Sequence, residues 1–182
     1  PGVGIAVQEG SYTELAGPLR DGEADFILGA LRGEPESEGL AQEEVFVDRP
    51  ALIMRAGHPL LTAADPIAGM LAYPWVLPSR ATPLWRYWEG MMRELGLEPP
   101  RVEIECGSVL TIRQLLLSGD GLSLLSPDQV AIELQAGLLA ALPPPIPVRR
   151  AIGIATRADW RPTAAHAAFL DALRQSGAAL QQ

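Results

Sequence analysis

The stretch Val102 to Leu125, VEIECGSVLTIRQLLLSGDGLSLL, constrains the chain more than any other. Val102, Ile104 and Cys106 alternate with Glu103 and Glu105, the period-2 pattern of a strand with one face turned inward. Gly107 and Ser108 then supply a bend and an N-cap. A serine oxygen accepts from the backbone N–H groups that a first helical turn leaves unpaired. Val109, Ile112, Leu115 and Leu116 share one helical face, Gly119 supplies a stop, and Leu122 to Leu125 is short, apolar and strand-like. The unit reads as β-α-β. It places Ser108 and its neighbouring N–H groups at the carboxyl end of a strand, where open α/β sheets bind ligands and the helix dipole favours an anion.

The flanking sequence repeats this grammar. Pro66 follows Asp65 and Pro83 follows Thr82, each as a helix start after a capping residue, and Gly96 closes the longer helix. Trp75 to Leu77 reads as a short strand between them. Upstream, Gly2 to Val7 reads as a strand with Val3, Ile5 and Val7 on one face. Ser11 and Glu14 have capping-box spacing ahead of Leu15 and Leu19, in a helix weakened by Pro18. Ala24 to Ala30 is a nearly continuous apolar run, the pattern of a strand covered on both sides, whereas Leu31 to Gly39 reads as an outer loop with no core positions. Leu40 to Val47 and Ala51 to Arg55 are extended segments broken at Asp48-Arg49-Pro50. Downstream, Ser126-Pro127-Asp128-Gln129 has the form of a capping box, and Val130 to Gln135 continues that helix. Leu142 to Val148, LPPPIPV, reads as an extended connector. Ala151 to Thr156 is a strand and Pro162 to Leu173 a terminal helix.

Charge and composition exclude several functions. With 182 residues the chain suits one large domain or two small lobes, and its net charge of −8 argues against gripping a phosphate backbone. A single cysteine, Cys106, rules out an internal disulfide and fits a reducing cytosol. No apolar run is long enough for a membrane span. The opening PGVGIAV reads like the middle of a domain, so a longer protein is expected. Cys106 would act as a nucleophile only beside a base, and His58 and His166 lie in unrelated contexts; a buried structural thiol is the simpler reading. Trp85 and Trp88 at i and i+3 read as a helix face packed on its own lobe or on a partner subunit. The acidic loop at Glu34, Glu36 and Glu38 lacks calcium-loop spacing and reads as solvated charge.

The order ADFILGA, VDRPALIMRAGHPL, YPWVLPSRATPLW, IECGSVLTIRQLLLSGDGLSLLS, GLLAALPPP and RRAIGIATRADWRPTAAHAAFLDALR resembles the effector-binding domain of LysR-type transcriptional regulators over nearly the whole chain. That resemblance implies an α/β fold of two Rossmann-like lobes, of the type II periplasmic-binding-protein kind, joined by two crossover segments. Lobe I would be residues 1–49 with 150–182, and lobe II residues 50–149. It implies a small-molecule effector, with a carboxylate as candidate, held in a cleft, no cofactor, no metal and no enzymatic activity. The partners implied are a second copy in a homodimer or tetramer, DNA through a separate winged helix-turn-helix domain not in this chain, and RNA polymerase as a candidate contact. No membrane is implied; the location is cytoplasmic. The family's first strand and helix would lie before Pro1. In the family's paired arrangement, Val3, Ile5 and Val7 with the helix near Leu15 would meet the strand at Val102 to Cys106 and the helix at Leu84 to Leu95 of another copy. A solute-binding protein of a transport system shares this architecture and is the alternative; a small enzyme using Cys106 with histidine is a third.

Carried over by position, the family's effector contacts fall on Gly29 and Ala30, on Leu77, Pro78, Ser79, Arg80 and Thr82, and on Gly107 and Ser108. Each group also sits where the residue pattern alone puts a strand end. Arg80 reads either as a two-pronged partner for a carboxylate or phosphate, or as an ordinary solvated loop arginine. Ser108 reads as a cap, a role compatible with ligand contact, and Thr82 as a cap before Pro83.

Overall fold

The computed structural model describes residues 2–180. In chain order the elements are α1 (Tyr12–Asp21), β1 (Ile27–Ala30), β2 (Leu40–Asp48), β3 (Ala51–Arg55), α2 (Pro66–Gly69), β4 (Trp75–Leu77), α3 (Pro83–Glu94), β5 (Val102–Glu105), α4 (Val109–Ser118), α5 (Ala131–Gln135), with β6 (Ser123–Leu125) before α5 and β7 (Leu139–Leu142) after it, then β8 (Arg150–Arg157) and α6 (Ala164–Ala179). The chain divides into two compact units. One holds the described residues up to Asp48 and from Arg150 onward; the other is Arg49–Arg149.

In the first unit β8 is the middle strand, antiparallel to β1 on one side and to β2 on the other. Gly153 lies at its centre because backbone crowds it: a Cβ there would collide with the carbonyl of Glu43. The register of β2 shifts between Glu44 and Phe46, and Val45, at that irregularity, packs against Gly177 of α6. α1 begins as the Ser11/Glu14 spacing predicts, the Glu14 carboxylate accepting from both the N–H and the hydroxyl of Ser11. At its other end Arg157 donates to the carbonyls of Leu19 and Ala24, placing a cation where the helix exposes unpaired C=O groups. Leu19, Ile27 and Ala155 form the small core.

The second unit has the larger core. β4 and β5 are parallel, and β4 also runs parallel to the start of β6 through Trp75 and Leu122. β3 is antiparallel to both β6 and β7, so the strands run in the order β5-β4-β6-β3-β7. α3 and α4 are the crossovers that make the parallel pairs possible. Leu84, Trp85, Trp88, Met91 and Met92 turn the apolar stripe of α3 onto the sheet, and Ile112 and Leu116 do the same for α4. Each such fully buried side chain contributes about 1.5–3 kcal/mol of transfer free energy. The pair Trp85/Trp88 therefore packs on its own unit, with ring centroids 5.8 Å apart. His58 is buried as well. Its Nδ1 accepts from the Leu60 N–H at 3.0 Å and its Nε2 faces the Asp120 carbonyl at 3.2 Å, so both ring nitrogens are occupied.

Several sequence expectations change. Gly2 to Val7 forms no strand: Val3, Ile5 and Val7 are exposed, and no neighbouring strand among the described residues offers the ladder that alternation alone cannot supply. β1 is shorter than the apolar run, and Leu28 is 48% exposed, so this strand is not covered on both faces. The loop from Leu31 to Gly39 does contain buried positions, Arg32 and Ser37. The Arg32 guanidinium donates to the Ala30 carbonyl, and Ser37 to Glu34. Ser126 opens a 3-10 turn, Pro127–Val130, through its carbonyl rather than a side-chain cap. β7 has no strand signal in the sequence, because GLLAAL lacks alternation and β-branched residues, and α6 runs past Leu173 to Ala179.

Two ion pairs hold the first unit's sheet, one at a strand end and one between β2 and α6. Asp48 and Arg150 face each other at the last step of the β2·β8 ladder, their side chains 3% and 11% exposed. Removing one charge strands the other, so Asp48→Ala is expected to cost about 3–5 kcal/mol in urea-denaturation stability. Arg174 of α6 grips Glu43 of β2 with two bonds, 2.7 and 2.8 Å. Those bonds hold the Glu43 carboxyl below its usual range. The stabilisation is therefore present above the ordinary carboxylate range and is lost as pH falls through the lowered value. Both groups are about half exposed and screened by water, so Glu43→Gln should cost at most about 1 kcal/mol at neutral pH. Thermal melts should show the wild-type advantage vanishing in acid.

Candidate functional site

In the second unit two of the three expected groups are brought together at the carboxyl ends of the parallel strands β4 and β5. The N–H of Cys106, just past β5, donates to the carbonyl of Leu77 at the end of β4, 2.9 Å away. This bond sets the loop Pro78 to Thr82 beside the turn Cys106 to Ser108. Leu77 and Pro78 are buried, so their side chains belong to the core and only the following residues open to solvent. Gly29 and Ala30 lie in the first unit, on β1, opposite Gly153 and Ile152. A Cβ at Gly29 would meet open space, so no packing there demands glycine.

The loop after β4 is a tight turn built on Ser79. Its carbonyl accepts from the Thr82 N–H at 2.8 Å and from the Thr82 hydroxyl at 2.7 Å. Thr82 does occupy the position before Pro83, but its hydroxyl points back into the turn and makes no cap bond to the helix. Ser108 does cap: its Oγ accepts from the Thr111 N–H at 3.3 Å while its carbonyl takes the Ile112 N–H. Helix geometry leaves the N–H groups of Val109 and Leu110 at the open N-terminus of α4 without an intrahelical acceptor, the arrangement that suits an anion.

Arg80 is neither a loose loop arginine nor an unengaged one. Its backbone N–H donates to Glu105 Oε1 at 2.8 Å, and its Nε approaches Glu105 Oε2 at 3.5 Å. Its guanidinium lies 4.2 Å above the ring of Trp85, whose indole N–H is tied to Glu89 at 2.7 Å. An exposed ion pair contributes little by itself, about 0–1 kcal/mol, and cation–π stacking about as much again. Together they orient the guanidinium and leave its terminal nitrogens for another acceptor. Glu105 is the participant that the sequence reading missed. Alternation marked it as a solvent-facing strand residue, which is correct, but an outward residue at the last position of β5 is also a neighbour of the β4 loop.

Cys106 is half-buried rather than buried, and its thiol donates to the Ser108 carbonyl at 3.6 Å. His58 and His166 are engaged elsewhere, His166 with Thr163 on α6. Among the described residues no group of three or more acidic, histidine or cysteine side chains is arranged to hold a metal, and no helix is long and apolar enough to cross a membrane.

Two α/β units that the chain links twice, one of them with parallel strands whose helices leave at the carboxyl ends, define the type II periplasmic-binding-protein class. Among solved structures, the regulatory domain of CcmR from Synechocystis PCC6803 in complex with 2-PG superimposes with a TM-score of 0.80 at 20% identity, over 97% of this chain and 85% of that one. The effector binding domain of QuiR in complex with shikimate gives 0.73 at 15%, over 92% and 78%. The chain belongs to the LysR substrate binding domain family, whose model matches residues 1–178. The HTH-type transcriptional regulator GalR of Pseudomonas putida is 32% identical over 176 residues, 96% of this chain and 44% of the relative. PcaQ of Agrobacterium fabrum is 26% identical over 178 residues, 97% of this chain and 57% of the relative. The chain thus spans about half the length of these curated relatives, which are transcriptional regulators.

The capping geometry gives a direct check. Ser108→Ala removes the Thr111 bond and should lower urea-denaturation stability by about 1 kcal/mol, whereas Ser108→Asp, which retains an acceptor, should recover most of it.

Proposed function

We propose that this chain is the effector-sensing part of a transcriptional regulator, and that its second-unit strand ends take the acidic group of a small carboxylate. The observation that carries this reading is the Arg80 guanidinium, oriented by Glu105 and Trp85, on the loop beside the turn that leads into α4. Arg80 would supply a charge-assisted bond and the first N–H groups of α4 would add oriented dipoles. Ser79, Thr82, Gly107 and Ser108 shape the rim. The complexes of CcmR with 2-PG and of QuiR with shikimate support an acidic effector as the class to test first.

Effector binding would favour one arrangement of a dimer or tetramer, and through it alter DNA binding by a separate helix-turn-helix domain and contact with RNA polymerase, in the cytoplasm. A ligand shifts such an equilibrium only as far as its affinities for the two states differ. That the matched relatives are regulators supports this reading over solute transport. It also supports a sensor rather than an enzyme.

Glu105 has a specific part. Its carboxylate competes with an incoming anion for Arg80 while keeping the guanidinium in place, so a ligand that offers a hydroxyl donor beside its carboxylate can satisfy both. Calorimetry with a panel of small carboxylates, shikimate included, tests the assignment. Arg80→Ala should weaken a carboxylate ligand by about 1.5–3 kcal/mol. Ser108→Ala should weaken it in the same direction, and Glu105→Gln should favour simple acids over hydroxylated ones. Unchanged affinities in Arg80→Ala and Ser108→Ala would refute the anion site.

A further inference from the structure

A hollow of about 420 Å³ lies entirely within the second unit, where β3 begins and β7 and the segment after it end, and none of the residues around Arg80 lines it. Its volume is that of a small-molecule site. Pro50, Pro143, Pro144 and Pro147 contribute to its walls, and each holds its own φ, so the surface is set before any ligand arrives. Two arginines, Arg49 and Arg149, line it and no acidic residue does. Neither has a carboxylate partner among the described residues: Asp48, the acid adjacent to Arg49 in sequence, is committed to Arg150. Most arginines in this acidic chain are engaged otherwise. Arg55, Arg80, Arg113 and Arg174 each have an acidic partner, and Arg20 and Arg157 donate to carbonyls.

Two exposed guanidinium groups without a carboxylate partner among the described residues, at an apolar, proline-walled hollow, favour one ligand chemistry, an organic monocarboxylate with a compact apolar body. The carboxylate meets arginine, which binds it in two-pronged fashion, and the body displaces water from the prolines. A cation is repelled, and a small hydrated inorganic anion leaves the walls wet. We infer that this hollow is a second small-anion site, separate from the one at Arg80. Its two arginines are the first residue after β2 and the last before β8, so an occupant would tie the outgoing and returning chain segments to each other.

Benzoate is the probe, with benzamide as its neutral isostere, added to the 15N-labelled 182-residue chain while backbone amides are followed by NMR. Benzoate should give saturable shifts at Ala51, Leu142 and Val148. Those shifts should persist in Arg80→Ala, weaken about tenfold or more in the Arg49→Gln/Arg149→Gln double variant, and be weaker with benzamide. Ala141→Phe, which puts a ring at the wall, should abolish them, and it gives the same reading if the double variant is poorly folded by circular dichroism. The site is overturned if these amides do not respond to benzoate in the millimolar range, if the response survives both Ala141→Phe and the double substitution, or if it disappears in Arg80→Ala. Loss of carboxylate binding at Arg80 with the hollow's response intact would instead count against the strand-end reading alone.

Discussion

The ion pair between Asp48 and Arg150 is the constraint on which the division of the chain depends. It closes the last step of the β2·β8 ladder, in residues almost removed from water, and the backbone leaves the first unit at one partner and re-enters it at the other. A buried pair of this kind adds less net stability than its Coulomb energy suggests, because both ions lose hydration. What it fixes is position. Alternative registers would leave a charge buried alone, so the exit and return points of the chain are held opposite each other. The prolines that follow, Pro50 on one side and the run Pro143 to Pro147 on the other, extend that constraint because they cannot join a ladder as donors.

Within the second unit the functional geometry is a by-product of parallel strand order. β4 and β5 can lie side by side only if α3 crosses over between them, and that crossover delivers the loop from Ser79 to Thr82 to the same edge as the start of α4. The Cys106 to Leu77 backbone bond then locks the two turns in contact. Arg80 gains its orientation from a strand residue and a helix residue at once, neither adjacent to it in sequence. Glu105 is therefore both competitor and support. A carboxylate that merely neutralised Arg80 would weaken an anion site. One that also holds the Arg80 backbone N–H sets the direction from which a ligand must approach.

How much of this was legible in the sequence follows from the range of the interactions. The β5-α4-β6 unit was readable because its serine cap and its glycine stop are local, and Ser108 does bond Thr111; the inward face read from the alternation of β5 is not there, since Ile104 is 38% exposed. The Ser11/Glu14 box and the Asp65 cap were readable for the same reason. Local pattern failed where a partner decides the outcome. Val3, Ile5 and Val7 alternate like a strand but have no ladder to join among the described residues. β7 has little strand character of its own and exists because β3 pairs with it. Thr82 and Ser126 sit at helix starts, yet the Thr82 hydroxyl turns back to Ser79, and the Ser126 carbonyl serves a 3-10 turn. At the site, Arg80 was visible but its tether was not: Glu105 and Trp85 reach it only after the strands have paired.

The distribution of tryptophan has an optical consequence. Trp75, Trp85 and Trp88 form one cluster in the second unit, with centroid separations of 5.5 and 5.8 Å, while Trp160 stands alone in the first, 5.1 Å from His166. Indoles that close couple their transitions and pass excitation among themselves, so the cluster behaves as a single chromophore with its own near-ultraviolet signature. One member of that chromophore lies directly beneath the Arg80 guanidinium. The second unit thus carries a built-in spectroscopic report on the charge above Trp85, and the isolated Trp160 supplies an internal reference from the first unit in the same spectrum.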